Sequence, residues 1–524
     1  MLRLFMIIVF AFPLVAGEDW ELKVDPILLN GPPGQTQPFI LYFHDQADLS
    51  HARLLPGKEA KGWFVYETLK QKADATQKPV IAELEALDAN YQSFWIANMI
   101  LVEGDEDLLI NLAQRNEIAR IFPNPLIEND LPQTEPATPN HSPNAIEWGV
   151  ELTGAPAVWD MGYRGQGVVI GGQDTGYNWN HEALIHQYRG WDGVAVDHNY
   201  NWHDAIHSGF SSCGVNLTEP CDDNSHGTHT MGTALGDDGA GNQIGMAPDA
   251  QWIGCRNMGS GNGTPTTYSE CFQWFVAPTD LTGKSADPGR APHVLINSWG
   301  CPPSEGCTDP LVLETVVNNT RAAGIVVVVS AGNAGPSCSS IVDPPAIYEG
   351  GFAVGSTRSN DAISSFSSRG AITIDGSGRL KPDISAPGSG IRSAVPGGYG
   401  SKSGTSMAGP HVSGLVALII SAVPELAGNV DAIEEIIRQT ALPLTSTQNC
   451  NGFDGSLVPN AVFGYGRIRA LDAVLEATGK TPLTCEDYPI MLSTWPGAMS
   501  QPQDVNGNGV IDLLDLMAML TCPL

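Results

Sequence analysis

Basic residues are scarce. The 524-residue chain carries 26 Lys and Arg against 57 Asp and Glu, a formal net charge of −31 at pH 7. Phosphate backbones are held by basic faces, so nucleic acid is excluded as the main partner. No apolar run approaches the roughly 20 residues that a membrane-spanning helix needs. The ten cysteines include no CxxC pair, which removes the usual zinc and thioredoxin-type signatures. The 58 glycines show no three-residue period and read, with 38 prolines, as tight turns in a folded body. No internal repeat occurs. Only 16% of residues are charged while 42% are hydrophobic, which excludes a disordered acidic chain.

What is present begins with a leader. Arg3, the apolar stretch 4–15 and the small pair Ala16-Gly17 have the order of a secretory signal over residues 1–17. The mature protein is therefore expected outside the cell, without a membrane span. An even cysteine count fits that compartment. The close pairs Cys213/Cys221, Cys255/Cys271 and Cys301/Cys307 could each staple a loop. Connectivity, including that of Cys338, Cys450, Cys485 and Cys522, stays open in the sequence.

Residues 18–130 hold no cysteine and read as a small α+β unit. Strands are expected at 39–43, 94–102 and 118–122, with helices at 59–87 and 106–114. Residues 131–147 continue a Pro-, Asn- and Thr-rich stretch expected to be an exposed linker that a protease could nick. Residues 148–478 alternate short apolar runs, at 168–170, 252–254, 294–296 and 325–329, with helical segments. The unbroken run Ile325-Val326-Val327-Val328-Val329 suits a strand buried on both faces. The fold class is therefore α/β, with a doubly wound, mainly parallel sheet whose sites lie at the carboxyl ends of strands. A short tail, 481–524, follows.

Three segments carry chemistry. Val168-Val169-Ile170-Gly171-Gly172-Gln173-Asp174-Thr175-Gly176 sets a carboxylate just after a buried strand. His226-Gly227-Thr228-His229-Thr230-Met231-Gly232-Thr233 opens a helix of small residues with a histidine. Gly404-Thr405-Ser406-Met407-Ala408-Gly409-Pro410-His411 sets a serine at the start of an apolar helix. A serine hydroxyl becomes nucleophilic when a base takes its proton. Histidine supplies that base, and a buried carboxylate fixes its tautomer. Taken singly, Asp174 is a turn residue, His226 a helix-start residue and Ser406 an N-cap. Together, in the order Asp…His…Ser, they are not bland.

That order and those surroundings resemble the subtilisin-like serine proteases, the family for which this chain order is known. The resemblance spans about residues 148–477. Stretches such as Asn180-His181-Glu182-Ala183-Leu184 and Asn201-Trp202-His203-Asp204-Ala205 are similar to its bacillopeptidase F-like branch. It implies Asp174 as the orienting carboxylate, His226 as general base and acid, and Ser406 as nucleophile. In Ser330-Ala331-Gly332-Asn333-Ala334-Gly335-Pro336 it implies Asn333 as the oxyanion donor. Ser298, Trp299 and Gly300 would form one wall of a cleft that pairs with polypeptide substrate as an added strand. Gly259, Ser260 and Gly261 would form the other. Counting back from Phe352-Ala353-Val354-Gly355 puts Asp343 at the pocket for the residue before the cut, where it would favour Lys or Arg. The chemical step would need no cofactor. Residues 38–128 resemble the family's inhibitory propeptide, an intramolecular partner removed by self-cleavage. The family's tight calcium site is not expected, because Ala183 stands where that site has Asp and the loop 237–243 fits poorly.

The tail resembles one dockerin repeat. Asp504, Asn506, Asn508, Asp512 and Asp515 stand at loop positions 1, 3, 5, 9 and 12, with Gly509 at the sharp turn and the Val510 carbonyl at position 7. One Ca²⁺ is expected there, and an extracellular partner for the tail. Two other hydrolase classes fail. An aspartic protease needs a second Asp-(Thr/Ser)-Gly, and none is present. An esterase of the α/β-hydrolase type needs Gly-x-Ser-x-Gly and a different order. The remaining alternative is a catalytically weak, calcium-dependent adhesion or scaffold protein.

Overall fold

The β-branched run ending at Val329 builds the strand Val326–Ser330, buried along its whole length between two helical layers. The computed structural model describes residues 20–30, 34–129, 131–134, 145–209 and 211–480. The leader 1–17, residues 135–144 of the linker, and the tail 481–524 with its expected calcium loop lie outside the described residues.

The N-terminal unit comprises β1 (Gln37–Phe43), α1 (Gly57–Thr76), α2 (Lys78–Ala86), β2 (Asn90–Phe94), β3 (Met99–Gly104), α3 (Glu106–Ala113) and β4 (Ile118–Pro123). Its four strands form an antiparallel sheet in the order β2-β3-β1-β4. Two expectations are corrected. The helix expected over 59–87 is two helices, divided at Gln77, two residues before Pro79, whose ring removes an N–H donor. The strand expected over 94–102 is a hairpin, turned at Asn98 with φ 43°, a left-handed conformation that Asn tolerates.

The larger body follows. A two-residue strand, β5 (Ile127–Glu128), precedes α4 (Trp148–Leu152), α5 (Ala155–Asp160), β6 (Val169–Asp174), β7 (Trp202–Asp204) and α6 (His226–Leu235). Next come β8 (Gln251–Arg256), β9 (Met258–Gly259), β10 (Asn262–Gly263), α7 (Pro265–Val276), β11 (Val294–Asn297), α8 (Glu314–Ala322) and β12 (Val326–Ser330). The chain ends its described course with β13 (Phe352–Thr357), β14 (Ile384–Pro387), the hairpin β15 (Ile391–Val395) and β16 (Gly398–Lys402), α9 (Thr405–Ala422), α10 (Val430–Gln439) and α11 (Ala470–Ala477). Seven strands form one parallel sheet, ordered β14-β13-β12-β11-β6-β8-β7. The winding reverses beside β6, so the carboxyl ends of β6 and β11 open onto a crevice. Register makes those ends level, with Asn297 opposite both Gln173 and Val329.

One face of the sheet packs against α6 and α9, the other against α7 and α8. Phe94, Ile96, Phe122 and Ile127 from the N-terminal segment share the second core with Phe272, Phe275, Val316 and Val317. Among the described residues one helix, α9, is long and apolar enough to cross a membrane, but it is buried as the core helix of this body. Four disulfides close the described cysteines: Cys213–Cys221, Cys255–Cys271, Cys301–Cys307 and Cys338–Cys450. The last excludes a bond from either member to Cys485 or Cys522. At the start of the expected linker Leu131 is only 5% exposed and joins the second core, Pro132 is half-buried, and Gln133 and Thr134 are exposed.

Candidate active site

Asp174 ends β6 and His226 begins α6, and the fold brings them together at the crevice. His226 Nδ1 lies 2.7 Å from Asp174 Oδ1, and both side chains are inaccessible to solvent. Asp174 Oδ1 also accepts from the Thr175 N–H at 2.8 Å, and Oδ2 from the Thr230 hydroxyl at 3.3 Å. The carboxylate is thus held in place by donors on both oxygens. With Nδ1 committed to Asp174, the free ring position is Nε2, buried and without a hydrogen-bond partner among the described residues.

Asp222, four residues before His226, organises this loop. Its two oxygens accept from the Thr175 hydroxyl, the N–H groups of Asn224, Ser225 and Thr228, and the Thr228 hydroxyl. Burial pushes its pKa up while those donors oppose the shift.

Ser406 stands in the first turn of α9, where backbone N–H groups have no acceptor within the helix. Its hydroxyl donates to the Ser298 carbonyl at 3.4 Å, and the Ser298 hydroxyl donates to the Ser406 carbonyl at 3.2 Å. Asn333, in the turn after β12, accepts at Oδ1 from Thr405 N–H and Oγ1 at 2.9 and 3.0 Å. That leaves its Nδ2 donors for other partners. A methyl group on Gly404 would lie 3.6 Å from Nδ2, so the amide faces the turn that carries Ser406.

Asp343 lies between the segments that follow β11 and β12. Its Cβ is 3.1 Å from where a methyl on Gly300 would sit, and its Oδ2 is 3.8 Å from the same point on Gly332. Oδ1 is buried without a partner among the described residues. Burial, assisted by Glu305, raises its pKa to about 6.

The crevice holds the chain's own residues 127–129 and 131–134. β5 pairs antiparallel with β10, the Asn129 N–H donates to Gly261 O at 3.3 Å, and Pro132 lies against Gly404. Of the two expected walls, Gly261 and Gly300 meet this segment. Gly259 and Ser260 do not: Gly259 pairs with Asn262 of β10, and the Ser260 N–H donates to Asp223, so β10 is the edge that takes the added strand. Lys402, missed from the sequence because nothing local marks it, is buried beside the site. Its ammonium donates to Pro132 O at 2.9 Å and Ser225 Oγ at 3.1 Å.

Residues 165–466 match the Subtilase family. The chain belongs to that family. Among its subtilase relatives, bacillopeptidase F of Bacillus subtilis is 35% identical over 475 residues, covering 84% of this chain and 31% of the relative. Subtilisin E of the same organism is 31% identical over 283 residues, 53% of this chain and 62% of the relative. Subtilisin Savinase of Lederbergia lenta is 30% identical over 305 residues, 58% of this chain and 94% of the relative. This subtilase thus spans about a third of the length of bacillopeptidase F. Among the described residues, no group of three or more His, Cys, Asp or Glu is arranged to hold a metal ion. In the loop where the calcium site was not expected, the Asp238 carboxylate accepts from Ala240 N–H, Asn242 N–H and the Asn242 side chain.

Proposed function

We propose that this chain is a secreted serine endopeptidase made as a self-processed precursor. The observation that carries the reading is the buried Asp174–His226 pair, at 2.7 Å, beside a helix start bearing Ser406. In this reading Ser406 Oγ attacks the substrate carbonyl while His226 Nε2 takes its proton. Asp174 holds the imidazole tautomer and stabilises the imidazolium. Asn333 Nδ2 and the Ser406 N–H donate to the developing oxyanion. His226 then protonates the leaving amine, and water repeats the sequence on the acyl-enzyme. The Ser406 hydroxyl rests on Ser298 O in the structure, so the reaction requires it to turn to Nε2, as such bonds commonly tighten only with substrate bound.

Residues 18–130 act as the inhibitory propeptide, 131–147 contain the processing site and 148–478 form the catalytic domain. Several contacts support this. Gln273 Oε1 accepts from the N–H groups of Trp95 and Ile96 at 2.7 and 3.2 Å, and Asn124 Oδ1 accepts from Thr266 at the start of α7. Residues 127–129 and 131–134 then block the crevice. Asp343 is the pocket residue that favours Lys or Arg before the cut, since its unpartnered oxygen would be satisfied by a cation. In the tail, Asp504, Asn506, Asn508, the Val510 carbonyl, Asp512 and Asp515 supply an all-oxygen donor set suited to one Ca²⁺. That site, and an extracellular partner for it, are separate from catalysis.

The test is Ser406→Ala in the full chain. The substituted protein should remain unprocessed and leave a peptide library intact, while wild type trims itself and cleaves. Self-trimming by the alanine variant in a protease-free preparation sinks the assignment.

A further inference from the structure

Asn129 does more than lie in the crevice. Its side-chain amide is paired on both sides. Oδ1 accepts from the Gly300 N–H at 3.1 Å, and Nδ2 donates to the Tyr268 hydroxyl at 3.0 Å and to Met258 Sδ at 3.4 Å. All three partners belong to the larger body, on β9, on α7 and after β11, so the pocket does not depend on the N-terminal unit for its walls. It is also rigid. Tyr268 and Met258 are fully buried, and the Tyr268 ring stacks on Trp299 with centroids 3.9 Å apart and planes 16° apart.

The chemistry of these partners is selective. A leucine entering here would leave the Gly300 N–H and the Tyr268 hydroxyl desolvated and unpaired. An aspartate could accept from both, but would find no use for Met258 and would enter a negative field. Glu305 acts on this corner, opposing ionisation of both Tyr268 and Asp343. Glutamine, one methylene longer, would overrun the span between Gly300 and Tyr268. A short neutral amide satisfies every partner.

We infer that Met258, Tyr268 and the Gly300 N–H form a side-chain-amide subsite that selects asparagine in polypeptide substrates. Asn129 lies three residues before Pro132, which rests against Gly404 beside Ser406. The selected asparagine therefore lies three to four residues upstream of the cut. The inference rests on the endopeptidase reading for its substrate but not for its pocket.

Two arms keep those apart. In the first, protein expressed as the full chain and allowed to mature itself is given a random peptide library, the products are sequenced, and kcat/KM is measured with Asn, Gln, Asp, Leu or Ala at the upstream position. Asparagine should exceed leucine and aspartate by about tenfold. Tyr268→Phe, which keeps the stack on Trp299, should shrink that preference to within about twofold while leaving the Arg-to-Phe ratio before the cut unchanged. Leucine cleaved as well as asparagine overturns the inference. In the second arm, full-length Ser406→Ala protein is read by hydrogen exchange with and without Asn129→Leu. The Gly300 amide should exchange about tenfold faster in Asn129→Leu, which removes the side-chain oxygen that accepts from it. Unchanged exchange in Asn129→Leu overturns the subsite. No cleavage of any peptide, with exchange responding, sinks the endopeptidase reading and keeps the amide pocket.

Discussion

Asn333 is held by Thr405. Its Oδ1 takes both the backbone N–H and the hydroxyl of Thr405, at 2.9 and 3.0 Å, so the side-chain amide cannot flip without losing two hydrogen bonds. Asn333→Leu should lower kcat by about 10²–10³ with KM little changed, because the amide matters where charge develops. Thr405→Val removes only the hydroxyl and should cost less, about 3- to 10-fold, by loosening that orientation. Steady-state kinetics on one peptide decides both. Equal effects on kcat and KM would point to a damaged fold instead.

Asp343 sets a pH signature. Its pKa is raised to about 6 by burial and then by Glu305, so the carboxylate is charged above that pH and neutral below it. The ratio of kcat/KM for matched peptides with Arg and Phe before the cut should therefore rise as pH increases through about 6. Asp343→Gly should flatten the ratio and lower it by about tenfold or more. A pH-independent ratio in wild type removes Asp343 from the pocket.

Glu270, on α7, accepts from His203 Nε2 at 2.7 Å, from His207 Nε2 at 2.9 Å and from Gln92 of β2 at 2.7 Å. Burial pushes the Glu270 carboxyl up, but the bonds from His203 and His207 outweigh it and bring it to about 2. His207 rises to about 9, chiefly through its bond to Glu270. The histidine contribution to stability is complete below about 6.5 and lost as pH rises through 9. The carboxylate contribution is present above about 4.5 and lost as pH falls through 2. Glu270→Gln should thus cost about 1–2 kcal/mol near pH 6, kept low because His207 is exposed. Denaturant unfolding should show that difference shrinking above pH 9, and an NMR titration should return His207 toward its ordinary value.

Cys338 and Cys450 are 112 residues apart and close the largest loop among the described disulfides. In the chain-entropy view such a closure restricts the unfolded chain more than the shorter loops do. The double substitution Cys338→Ala/Cys450→Ala should lower unfolding free energy by about 2–5 kcal/mol. Cys213→Ala/Cys221→Ala, spanning 8 residues, should cost less. Chemical unfolding of the two variants gives the order directly.

Local sequence was enough to place the backbone setting of the candidate site residues. Asp174 is read from the strand that carries it, His226 and Ser406 from the helices they start, and Asn333 from the turn after the most apolar strand. The parallel sheet was legible in its uninterrupted β-branched runs, because a strand covered on both faces has no polar face to alternate. The break at Gln77 and the turn at Asn98 were not, since helical and strand periodicities run on across one or two irregular residues. Pairings across the chain were beyond any local pattern. Lys402 against Pro132 spans 270 residues, Asn129 against Tyr268 spans 139, and the cysteine partners of the larger loop share no spacing rule. Asp343 met Gly300 only because two neighbouring strands end level and the turn after β12 folds back between their extensions. Periodicity and motifs encode what a few consecutive residues can do; which of them touch is decided by packing, where partners are chosen by space and burial.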